Sequence, residues 1–73
     1  MKRLIVFLVR RRLGLKKYEI FQFANQKSDA VYYFTGDDVM KVFHDVTEPS
    51  SVSLHWLLDD ECEIVRRNAF VEL

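Results

Sequence analysis

Cysteine, proline and glycine are all scarce in this chain: one, one and two among 73 residues. The single Cys62 excludes an internal disulfide, and no cysteine–histidine spacing suited to a structural zinc is present. So few breakers, with a composition 49% hydrophobic and 14% aromatic, exclude a disordered chain. Long apolar runs are missing too. The run from Leu4 to Val9 stops after six residues at Arg10-Arg11-Arg12, far short of the roughly 20 that span a bilayer. The arginines also stand where a secretory signal would need small residues. On a helical wheel the same arginines fall on separated sectors, which disfavours an interfacial helix, so no membrane insertion is expected. A lone unpaired cysteine and no export signal point to a reducing, cytoplasmic setting.

What remains is a single small domain over residues 1–73 with a thin stability margin, because a chain of this size buries little more than ~60% of its unfolded surface. With neither disulfide nor metal to staple it, self-association is the remaining aid. The net charge of zero conceals a strong asymmetry. Residues 1–28 carry eight basic side chains against Glu19 alone, 8 − 1 = +7, and residues 29–73 carry three against ten acids, 3 − 10 = −7.

Leu4, Val6 and Leu8 alternate with Ile5, Phe7 and Val9, and several are β-branched. A strand buried on both faces is therefore expected, a short buried helix being the alternative. Lys17 to Phe23 and Ala30 to Phe34 are aromatic-rich and partly alternating, and the polar segment Asn25 to Asp29 joins them as a hairpin. Gly14 marks the preceding turn. Thr35, Asp37 or Asp38 suits the start of a helix whose apolar residues Val39, Val42, Phe43 and Val46 follow i, i+3, i+4, i+7 spacing, with His44 in its last turn. Beyond Pro49, the alternation of Val52, Leu54, Trp56 and Leu58 predicts a strand, turned at Asp59-Asp60-Glu61 into another over Cys62 to Arg66. The expected fold is α+β: a small, mostly antiparallel sheet of about five short strands, in the order β-β-β-α-β-β, with one helix packed on one face.

No catalytic constellation is visible, so an enzyme is not expected, and no cofactor or metal is called for. His55 and Cys62 could in principle pair as base and nucleophile, but the hairpin places them on different sides. The acids from Asp59 to Glu63 lack the alternating spacing and central glycine of a calcium loop. One cluster has a physical mechanism behind it: Arg10, Arg11, Arg12, Lys16 and Lys17 could contact a polyanion or a partner protein. Two readings follow. The first is a non-enzymatic interaction or accessory module that self-associates, as a homo-oligomer, or binds another protein. The alternative is a small nucleic-acid-binding accessory protein using the basic N-terminal half, with the nearby aromatics stacking on bases. The ten acids, and the lack of the glycine-and-aromatic motifs of RNA-binding sheets, weigh against that alternative.

Overall fold

The computed structural model describes residues 2–72. Its elements are helix α1 (Lys2–Arg12), strands β1 (Glu19–Phe23), β2 (Val31–Phe34), β3 (Val39–Phe43) and β4 (Val46–Pro49), the single-turn helix α2 (Leu54–Leu57) and strand β5 (Ile64–Phe70). All strand pairings are antiparallel, and the sheet order is β4-β3-β2-β1-β5. The long closure that brings β5 beside β1 makes the first and last strands neighbours in the sheet. The α+β class, the five-stranded antiparallel sheet and the helical layer on one face agree with expectation. Several segments that supply these elements do not.

The stretch Leu4 to Val9 is helical rather than extended. The reason lies just beyond it. Gly14 adopts φ 73°, the amide of Leu15 donates to the Arg10 carbonyl and that of Gly14 to the Arg11 carbonyl, each at 3.1 Å. This is a Schellman stop, with glycine supplying the left-handed residue and Leu15 tucking under the last turn. Arg10, Arg11 and Arg12 occupy that last turn, where cations oppose the partial negative charge of the helix end. The first turn has no acid of its own. Asp37 and Asp38, from the β2–β3 loop, supply negative charge there by pairing with Arg3 and Lys2 at 2.8 and 3.2 Å.

The helix expected over Val39 to Val46 is instead the β3–β4 hairpin, in which Val42 opposes Thr47 and Phe43 opposes Val46. His44 and Asp45 form its two-residue tip at φ 50° and 61°, the left-handed pair of a type I′ turn that matches strand twist. His44 is therefore not in a helix. The expected cap is real in chemistry but serves a loop: the Thr35 hydroxyl accepts from the amides of Asp37 and Asp38 at 3.2 and 3.0 Å, and the chain then turns into β3.

The strand expected over Val52 to Leu58 is replaced by α2, capped by the Ser53 hydroxyl accepting from the Trp56 amide. The expected partner strand from Cys62 begins at Ile64 and pairs with β1, Phe23 opposing Ile64 and Gln22 opposing Val65. The β1–β2 hairpin stands as expected, with Phe21 opposite Tyr32.

Cross-strand partners share a face, so Phe21, Tyr32, Phe34 and Val39 look the same way. Against them pack Val6, Val9 and Leu15 from α1 and its cap, and Leu57 from α2, completing the core. Phe21 and Phe34 stack with centroids 5.5 Å apart. Glu19 is the buried charge of this layer, 2% exposed. Its carboxylate accepts two hydrogen bonds from Arg66, at 2.7 and 2.9 Å, and one from the Lys16 amide at 2.8 Å. The Arg66 hydrogen bonds outweigh burial, and the Glu19 carboxyl is held below its ordinary pKa.

Candidate interaction surface

Helix α1 has two sides of opposite standing. Val6 and Val9 are 1% and 0% exposed, whereas Leu4, Ile5, Phe7 and Leu8 remain 59%, 47%, 42% and 53% exposed. At ~100° per residue these four, with Arg11 and Arg12 among them, fall in one outward sector. An apolar stripe this dense on the solvent side of a helix is an unusual use of large side chains. Arginines border it at both ends, Arg3 near the start and Arg10 to Arg12 at the finish.

The five basic residues singled out from the sequence do not form one patch. Arg10 donates from Nη1 to the Leu15 carbonyl at 2.9 Å and lies over the Phe7 ring, 5.5 Å from its centroid. It thus seals the helix cap and flanks the apolar stripe at once. Arg11 is exposed on the outward sector. Arg12 turns toward Asp60, 3.6 Å away, a contact between two highly exposed groups that is worth little in water. Lys16 is exposed, and its backbone amide, rather than its ammonium, serves structure by binding Glu19. The Lys17 ammonium lies 5.5 Å from the Tyr18 ring centroid and reaches over Gly36, where a Cβ would approach its Nζ to 3.6 Å.

Two of the five, Arg10 and Lys17, do meet, and they meet a residue the sequence reading passed over. Arg3 joins them around a shallow cleft of about 340 Å³ between α1 and the β2–β3 loop, with Phe7 on its wall and Gly36 at its rim. Three cations line it, and one of them, Arg3, is already paired with Asp37. Helical spacing was the missing signal: Arg3, Phe7 and Arg10 follow i, i+4, i+7 and so share a face, but only once residues 2–12 are read as a helix.

No hydrogen bond joins the His55 and Cys62 side chains among the described residues. His55 is exposed on α2, while Cys62 is half-buried against the core, its thiol pKa pushed up by burial and by nearby Asp59. A thiol shifted this way is less, not more, available as thiolate. Among the described residues no group of three or more His, Cys, Asp or Glu side chains is arranged to hold a metal ion. No described helix is long and apolar enough to cross a membrane.

Comparison with known proteins returns no matching family model, no matching curated protein and no matching solved structure.

Proposed function

We propose that this chain is a non-enzymatic interaction module that self-associates through the outward side of α1. The observation that carries this reading is the row Leu4, Ile5, Phe7 and Leu8, large apolar side chains left 42–59% exposed in a single copy. A second copy is the occupant that fits the charges. In an antiparallel pair of α1 helices, each arginine-rich end lies against the other copy's helix start. There Lys2 and Arg3 are already balanced by Asp38 and Asp37, so the arginines meet a neutral end instead of two bare cations. The two helix dipoles also run in opposed directions. Edge-to-edge sheet pairing is a poor competitor. Strand β4 ends in Thr-Glu-Pro, and β5 carries Arg66, Arg67 and an Asn68 at φ 56°, all of which blunt an edge.

One helix of 11 residues, about 16 Å long, offers less than the roughly 800 Å² per partner of a standard interface, so association is concentration-dependent. Sedimentation velocity at a series of concentrations tests this. The native chain shifts from monomer to dimer, and Leu4→Lys with Leu8→Lys stays monomeric while keeping the native circular dichroism spectrum. A native chain that stays monomeric throughout, or a double variant that dimerises as before, overturns the reading.

A second reading draws support from the convergence of Arg3, Arg10 and Lys17: a polyanion such as single-stranded nucleic acid held along the α1 cleft. Fluorescence anisotropy with a labelled oligonucleotide tests it. Binding that weakens steeply with salt, with Lys17→Gln reducing the log–log salt slope by about one, supports the cleft. Absence of binding at low salt removes it.

A further inference from the structure

A second cavity lies away from α1, on the helix-bearing side of the sheet between β2–β3 and α2. It encloses about 400 Å³, within the range of about 300–1,000 Å³ that small-molecule sites occupy. Its apolar wall is aromatic. The Phe23 ring meets Tyr32 edge-on at 4.8 Å and Trp56 at 5.3 Å, with interplanar angles of 65° and 61°. Trp56 is still 42% exposed, although it is the one tryptophan of the chain and sits beside this space.

The wall is braced by Gln26, which itself lines the cavity. Gln26 accepts from the Phe23 amide at 2.7 Å through Oε1 and donates to the carbonyls of Ser28 and Ala30 through Nε2. This holds the β1–β2 loop and fixes the Phe23 backbone. Such bracing is what lets a cavity keep its shape before anything binds.

Charge of both signs borders the cavity. Lys41 enters from β3, and Glu61 and Glu63 enter from the segment between α2 and β5. None of the three belongs to an ion pair among the described residues. The ammonium of Lys41 lies 5.8 Å from the Phe43 ring centroid, and Glu48, its cross-strand neighbour on β4, stands on the same face outside ion-pair distance. A purely anionic ligand would face two carboxylates, and a purely cationic one would face the lysine. A neutral ring would desolvate all three without compensation.

We propose that this cavity binds a small aromatic zwitterion, a planar ring carrying one ammonium and one carboxylate. The ring lies against Trp56 and Phe23, the carboxylate meets Lys41, and the ammonium meets Glu61 and Glu63. The proposal is independent of self-association through α1.

Trp56 reports on the site directly, through its emission and its indole N–H resonance. The probes are phenylalanine, phenethylamine and phenylacetate, which share a ring and differ in charge. Phenylalanine saturates the Trp56 signal at concentrations about tenfold below those the two singly charged probes require. Lys41→Gln removes that advantage over phenethylamine, and Glu61→Gln with Glu63→Gln removes it over phenylacetate. Glu61 and Glu63 are exposed and Lys41 is half-buried on β3, and circular dichroism verifies that each variant keeps the fold. No saturable change with any probe, or a singly charged probe binding as tightly as phenylalanine, overturns the proposal.

Discussion

The two sides of α1 both carry large apolar side chains and have different fates. Inward, Val6 and Val9 are sealed against Phe21, Phe34 and Leu57; outward, Leu4, Ile5, Phe7 and Leu8 stay open. Ion pairs divide in the same way. Glu19–Arg66 sits with its carboxylate buried, while Arg3–Asp37 joins side chains 81% and 72% exposed. Hydrophobicity and charge by themselves therefore do not say what holds this fold together. The direction a side chain takes from its backbone decides that.

The contrast can be broken most severely at Val9. Val9→Asp places an unpaired carboxylate at a position with no exposure, at a cost comparable to the whole stability of a small domain. Loss of the native circular dichroism spectrum at neutral pH is the expected result. Arg66→Ala comes next, removing the partner of a buried carboxylate. The buried carboxylate is left without its partner, so a lower urea midpoint than that of the native chain is expected.

Acidity sharpens this second test. Because the folded-state pKa of Glu19 lies below its ordinary value of 4.5, its contribution is complete above that value and fades as the pH falls through the folded-state one. In Arg66→Ala the burial that remains favours the neutral acid instead. The gap between variant and native chain is thus widest near neutrality and narrows in acid, as urea midpoints across the acid range will show.

Val6→Ala deletes two buried methyl groups and costs about 2 kcal/mol by the same measurement. The smallest effect belongs to the outward side: Ile5→Lys changes monomer stability by no more than about 0.5 kcal/mol at protein concentrations where the chain is monomeric. A larger loss there would show that the outward stripe helps hold the single copy together.

Legibility in the sequence followed the strength of local signals. The β1–β2 hairpin was readable because two aromatic runs flank a polar turn, a pattern with few alternatives. Leu4 to Val9 is apolar at every position, so periods of two and of 3.6 fit it equally. The decisive signal sat outside the run, in Arg10-Arg11-Arg12-Leu13-Gly14-Leu15: cations in a last turn, glycine at the stop and a leucine to fold under it. In Val39 to Val46 the helical spacing was genuine but coincidental. Those residues are mostly β-branched or aromatic, and pairing with β2 overrides the pattern, while His44 and Asp45 give little warning of a left-handed tip. Alternation from Val52 to Leu58 misled for a related reason: Ser53 can cap a turn, and Leu57, off the alternating register, is the residue the core takes. The basic cluster was legible as charge but not as geometry, since Arg3 joins Arg10 and Lys17 only through the helix.

The β3–β4 apex places two ordinary L-residues, His44 and Asp45, in backbone territory that Asn-Gly occupies with less strain. Exchanging them, His44→Asn with Asp45→Gly, would return about 0.5–1 kcal/mol to a fold with little to spare. That small reserve would serve as a tolerant parent for laboratory evolution, able to carry disruptive changes elsewhere that the native chain could not survive.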